Sequence, residues 1–151
     1  MNKLFFGIFI SLFLLVASGC TRNNGDIGVL FGRWRVESLK ADGEPVALYD
    51  DETLLYTWSF QSSLIFITVI QPYTQYYDIR GTWSRDGDVL KLNFGYTGND
   101  GQKYYDPPEN LHLVRDGVSD MEIKKMTSSE MLLERVAEDG VRYVYYLKKA
   151  Y

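Results

Sequence analysis

The chain carries one thiol, Cys20, and one imidazole, His112, and these two residues bound most of the chemistry open to it. A serine hydrolase needs a nucleophile with a base in hydrogen-bonding reach. Only His112 could supply that base, and it sits in the least patterned stretch, Pro107-Pro108-Glu109-Asn110-Leu111-His112, where it reads as a solvated loop imidazole. Zinc prefers Cys and His ligands, so here carboxylates would have to do nearly all the ligation. Calcium wants six to eight oxygens, with carboxylates at alternating loop positions. Asp50-Asp51-Glu52, and Asn99-Asp100-Gly101 with Asp106, lack that spacing and read as solvated turns. Nothing singles out a catalytic pair among the 20 acidic residues. A non-enzymatic chain without catalytic residue, metal or cofactor is therefore expected. Tyrosine is the remaining chemical signal. Tyr73, Tyr76, Tyr77, Tyr96, Tyr104 and Tyr105 cluster centrally, and Tyr143, Tyr145 and Tyr146 lie near the end. Phenol rings offer flat apolar faces plus a hydroxyl, which suits small amphipathic ligands, but tyrosine also simply favours half-buried strands.

Cys20 closes a distinctive leader. Met1-Asn2-Lys3 is a short positive start, Leu4–Ala17 an apolar stretch broken only by Gly7 and Ser11, and Ala17-Ser18-Gly19 a run of small residues. Fourteen apolar-rich residues fall short of the roughly 20 that span a bilayer as a helix. They fit a secretory signal peptide over 1–19. Small residues before a lone cysteine resemble the lipobox of bacterial lipoproteins. That resemblance implies cleavage before Cys20, acylation of its thiol (palmitate among the chains) and anchoring in a lipid bilayer. Thr21 is not acidic and no acidic run follows, so the periplasmic side of the outer membrane is the expected address, with exposure at the cell surface as the alternative.

Removing residues 1–19 leaves enough chain for one domain with its own core. No disulfide framework is available, so packing must hold it. Of 16 basic residues only Lys3 is removed, against 20 acidic residues all retained, which leaves a formal charge of 15 − 20 = −5. The acidity and the lack of a basic stripe argue against nucleic acid as a partner.

Residues 20–30 read as the lipidated cysteine and a polar, Gly-rich tether, and 31–151 as the domain. Within it, Tyr, Phe, Val, Ile and Thr are frequent, with Gly, Asp and Asn at short intervals, the pattern of strands and turns. Strands are expected at 34–39, 54–60, 64–71, 75–84, 89–94, 121–126, 131–136 and 141–148. Asp86-Gly87 and Asp139-Gly140 suit tight hairpins, and Thr127-Ser128-Ser129-Glu130 reads as a turn in preference to a helix cap. Eight mainly sequential antiparallel strands predict an all-β fold, an up-and-down barrel that closes on itself. Alternation puts Tyr56, Trp58 and Phe60 on one face, then Tyr77, Ile79 and Trp83, then Leu90, Leu92 and Phe94. These aromatic sets are the expected interior, opposite Thr57, Ser59, Arg80, Thr82, Lys91 and Asn93. Residues 64–70 are apolar on both faces, so their outer side should be covered by another segment, a partner or the lipid surface, and the long segment 95–118 is the expected cover.

Gly32-Arg33-Trp34 at the head of the first strand resembles the Gly-x-Trp signature of lipocalins. There the Trp seals the closed end of the barrel and packs against an Arg from the last strand, a role that falls here to Arg142. The Thr-Asp-Tyr motif of lipocalins is absent. Gly81-Thr82-Trp83-Ser84-Arg85-Asp86-Gly87-Asp88-Val89-Leu90-Lys91-Leu92 and Met131-Leu132-Leu133 are similar to stretches of small lipocalin-like lipoproteins of Gram-negative bacteria, a resemblance that spans roughly 31–149. It implies a barrel whose interior face, with Tyr56, Trp58, Phe60, Tyr77, Trp83, Phe94, Tyr143 and Tyr145, holds a small apolar or amphipathic ligand. The alternative is a filled barrel that acts as a protein-interaction module of the envelope, an assembly factor or enzyme inhibitor working through its loops. A cavity would favour the first reading and a solid core the second.

Overall fold

The computed structural model describes residues 27–48, 55–70, 76–95 and 106–150, the side chains of Tyr76 and Tyr77 excepted. Residues 1–26, with the leader, Cys20 and most of the tether, lie outside the described residues. So do Asp50-Asp51-Glu52, Asn99-Asp100-Gly101, Tyr73, Tyr96, Tyr104, Tyr105 and the Tyr77 side chain.

The expected strands form, and a short one joins them: β1 (Gly32–Ala41), β2 (Glu44–Val46), β3 (Leu55–Gln61), β4 (Leu64–Ile70), β5 (Tyr76–Asp86), β6 (Val89–Asn93), β7 (Val118–Met126), β8 (Glu130–Val136) and β9 (Arg142–Ala150). Every neighbour is antiparallel, and β1 pairs with β9 over nearly its whole length to close the barrel. Closure leaves eight strands in the wall. β1 can serve three partners because its first half pairs with β3 and its last residues with the small β2 hairpin, while its other edge takes β9.

Turn chemistry sets the register. Asp42-Gly43 and Ser62 take positive φ in the β1–β2 and β3–β4 connections. Thr127 Oγ1 accepts the backbone N–H of Glu130 at 3.0 Å, which makes residues 127–130 a side-chain-closed turn. Along each strand alternate residues then face inward: Ile65, Ile67 and Val69 on β4, Met131 and Leu133 on β8, Tyr145 and Leu147 on β9. The 3₁₀ turn Gly28–Leu30 belongs to this core too. Ile27 and Leu30, placed in the tether by their Gly-rich context, are buried beneath the barrel.

The wall differs from expectation in two places. Thr57 and Ser59 do point outward, yet both are buried, flanked by Arg35 and Thr68 and by Arg33 and Phe66 on the adjacent strands. The outer row of β4 is half-buried, with the Arg80 guanidinium 5.4 Å from the centre of the Phe66 ring. The 106–117 part of the long segment does not cover that row. Its apolar residues Leu111 and Leu113 turn into the end of the barrel instead, where more apolar surface is available to bury.

Candidate functional site

One end of the barrel is a plug. Trp34, fully buried, donates its indole N–H to the Leu30 carbonyl at 2.8 Å and so fixes the 3₁₀ turn beneath the strands. Lys149 lies over the indole, its Nζ 4.2 Å from the ring centre, and donates to the carbonyls of Val29, at 2.9 Å, and Phe31. Partial burial pushes the Lys149 pKa below its ordinary value. Gly32 makes room for this arrangement. Its φ of +108° suits glycine, and a Cβ there would meet Lys149 Cε at 3.2 Å. Arg142 is not the partner of Trp34. The antiparallel register sets Trp34 opposite Lys149, and seven residues of strand at about 3.3 Å each separate Arg142 from that position. Arg142 is exposed at the other end of β9 and pairs with Glu134 at 3.4 Å.

Between the ends, the interior is packed side chain on side chain. Trp58 and Tyr145 meet with ring centres 5.8 Å apart, and Phe60 takes Trp83 edge-on at the same separation. Trp58, Phe60, Tyr145, Ile67, Leu92 and Met131 are 0% exposed, and Phe94 1%. Zero accessible surface has a direct meaning: no void large enough for one water touches these groups. Tyr56 is nearly as buried, at 4%. Trp83 departs from the expected interior set. It is only half-buried, because β5 runs on past the core toward its hairpin at residues 87–88.

The other end is the mouth, and residues 106–115 strap it. Leu111 and Leu113 plug it. The Tyr145 hydroxyl donates to the Leu111 carbonyl at 2.8 Å, and burial raises its pKa while Arg135 acts the other way. The Tyr56 hydroxyl donates to Asn110 Oδ1 at 3.1 Å, and Asn110 Nδ2 donates to the Leu48 carbonyl. Arg135 Nη1 donates to the His112 carbonyl at 2.9 Å.

His112 lies in the loop as expected, but half-buried and held rather than freely solvated. It ends the 3₁₀ turn Glu109–Leu111 in the left-handed region, φ 51°, which is uncommon outside glycine. That bend lays its ring on Tyr143, with centres 4.6 Å apart and planes within 16°. Beside this stack a groove of about 430 Å³ opens to solvent. Leu113, Ala137 and Tyr143 give it an apolar side, and Arg135, Arg115, Glu109 and His112 a polar one. Arg115 and Glu109 are joined as an ion pair. Of the seven aromatic side chains expected to face a ligand and described in the structure, Tyr143 alone lines this groove.

Arg135 and Leu113 carried a signal in the sequence. Met131, Leu133 and Arg135 share one strand parity, so a charge sits in an inward apolar row. Leu111 and Leu113 are likewise two apart. Asn110 and Lys149 are recognisable only once the register is known.

No protein-family model matches the chain, and no curated protein matches it. Solved structures do. A lipocalin-like protein from Bacteroides uniformis superposes with a TM-score of 0.52 at 14% identity, over 82% of this chain and 100% of that one. An uncharacterised protein from Bacteroides eggerthii gives a TM-score of 0.54 at 16% identity, over 80% and 99%. A bovine odorant-binding protein in complex with a selenium-containing odorant is more distant, with a TM-score of 0.45 at 9% identity, over 83% and 76%. The fold is therefore a lipocalin-like barrel.

Proposed function

We propose that this chain is a lipid-anchored protein of a bacterial cell envelope whose barrel is a packed scaffold, and that it binds a small amphipathic ligand at its mouth. The contrast between the two candidate seats carries the reading. Trp58, Phe60 and Tyr145 have no free surface, so a ligand among them would have to displace side chains from a close-packed core. The mouth groove is open, and its volume falls within the roughly 300–1,000 Å³ of small-molecule sites. Anchoring rests on the leader and Cys20, and the short tether would keep the barrel near the membrane. The solid interior equally favours the interaction-module reading, in which the same strap meets an envelope protein.

Two measurements test the proposal. Cys20→Ser should abolish incorporation of labelled palmitate and release the protein from the membrane fraction. Continued labelling would refute the anchor. Residues 21–151 contain the whole described barrel and its core, and their amide NMR spectrum can be followed as dodecanol or dodecanoate is added. Shifts confined to residues 109–115, 135–137 and 143 are expected. Shifts centred on Trp58 and Ile67 would restore the interior as the seat, and no shift with either amphiphile would move the function to a protein partner.

A further inference from the structure

Arg135 is a charge placed where the strand pattern calls for an apolar residue. It occupies the inward parity of β8, directly across from Tyr143 on β9, and is half-buried at the mouth. Among the described residues no carboxylate pairs with it. Glu134, its chain neighbour, lies on the opposite face and engages Lys124 and Arg142. The other acid and the other arginine of the groove, Glu109 and Arg115, neutralise each other. The bond to the His112 carbonyl, with the Tyr145 hydroxyl also beside the group, uses only part of a guanidinium with five N–H donors.

We propose that the mouth groove selects amphiphiles bearing a carboxylate, with Arg135 holding the carboxylate and the Tyr143–His112 stack, Leu113 and Ala137 holding the apolar part. The inference rests on the mouth being the ligand seat and adds the chemical class. Its geometry suits a planar anion, because the guanidinium fork offers parallel donors to the two oxygens of a carboxylate. The local charge suits it as well. With Glu109 and Arg115 cancelling, Arg135 is the arginine left without a carboxylate partner among the described residues of the groove, within a domain of formal charge −5. The domain's net charge does not decide the matter at contact, since exposed charges beyond about 8 Å are screened at physiological salt.

The test compares dodecanoate with dodecanol, which share a chain and differ in the headgroup, on residues 21–151 by NMR titration below micelle formation. Dodecanoate should bind more tightly. Arg135→Gln should weaken it by roughly 10- to 100-fold, the range for losing a charge-assisted hydrogen bond, while leaving dodecanol affinity within twofold. Arg135→Lys should fall between, keeping the charge without the fork. Arg115→Gln, which removes a cation already paired, should weaken dodecanoate by less than threefold. Equal affinity for the two amphiphiles at the mouth would overturn the carboxylate assignment and leave the mouth as a seat. Loss of both amphiphiles in Arg135→Gln would also overturn it, since Arg135 would then only hold the strap. Failure of both amphiphiles to reach the wild-type mouth refutes the binding proposal itself.

Discussion

Replacing Lys149 by methionine takes the ammonium off Trp34 and leaves an aliphatic stem over the indole. The structure sets the size of the effect through three contributions. A cation over an indole face contributes about 0.5–2 kcal/mol, toward the low end where water reaches it. Each ammonium-to-carbonyl bond contributes about 1.5–3 kcal/mol where the site is dry. Val29 and Phe31 are 45% and 47% exposed, however, so their carbonyls can bind water after the change and most of that loss is recovered. Against both stands the desolvation cost that depresses the Lys149 pKa. A net loss of about 1–2 kcal/mol follows from these terms.

Urea unfolding of residues 21–151 reads this loss. With a slope of about 1–3 kcal/mol per molar, the midpoint should fall by roughly 0.5–1 M. The control is Arg142→Met at the other end of the same strand. Of its pair with Glu134 the arginine side is solvent-exposed, 59% accessible against 15% for the carboxylate. Lys124 stays beside Glu134 after the change, so the cost should stay within the roughly 0–1 kcal/mol of exposed pairs, about half that of Lys149→Met. A cost for Arg142→Met equal to or above that for Lys149→Met would refute the register of β1 against β9 and the plug built on it.

Gly81→Ala should cost about 1–3 kcal/mol in the same assay, the range for overpacking a filled core. Its Cβ would lie 2.7 Å from the Asn93 carbonyl oxygen and 2.8 Å from Phe94, so a neutral result would mean the β5–β6 contact is looser than described. Tyr145→Phe leaves the Leu111 carbonyl without its donor and should cost about 1–3 kcal/mol while speeding amide exchange at residues 111–113; unchanged exchange would detach the strap from Tyr145. Glu130 bonds Lys125 and Tyr146, both of which hold its carboxyl below the ordinary 4.5. A depressed folded value stabilises above the unfolded one, so the deficit of Glu130→Gln should be full at pH 7, shrink as the pH falls below 4.5 and vanish as it passes the depressed folded value. A deficit that does not shrink with acid anywhere below pH 4.5 would show the carboxylate is not its source.

Alternation and turn chemistry made most of the wall readable from residues alone. A two-residue period places every second side chain on one face, and each face has its own composition, so Tyr56-Trp58-Phe60 and Leu90-Leu92-Phe94 declare their direction. β2 escaped notice because Glu44-Pro45-Val46 is too short to show a period and contains a proline. Arg142 was misassigned for a different reason. A motif pairs residue types, whereas the register pairs positions, and the last strand reaches Lys149 before it meets the start of the first. The strap was the least legible part. Only Leu111 and Leu113 in it are regularly spaced, and its hold on the barrel depends on Tyr56, Arg135 and Tyr145, each from a different strand.

The length of that strap bears on where function lies. The β3–β4 and β5–β6 connections need only two residues each, and β7–β8 three, whereas β6–β7 uses residues 94–117. Closing a longer loop costs only slightly more entropy for each doubling, about 0.6 kcal/mol, but ordering its residues costs far more, about 1–2 kcal/mol for each backbone. The described part recovers some of that cost by burying Leu111 and Leu113 and by bonding to Tyr145 and Arg135. Burial alone does not account for the rest of its design. A strap evolved only to seal the mouth would bury its polar side chains against bonded partners or turn them to water. This one instead stacks His112 flat on Tyr143 and leaves an inward arginine beside an open apolar groove. The plug end shows the opposite pattern, with its inward cation fully engaged by two carbonyls and an indole. Among the described residues, Lys149 closes the barrel from one inward row, and Arg135 reaches the open groove from another, the place where the proposed ligand would meet it.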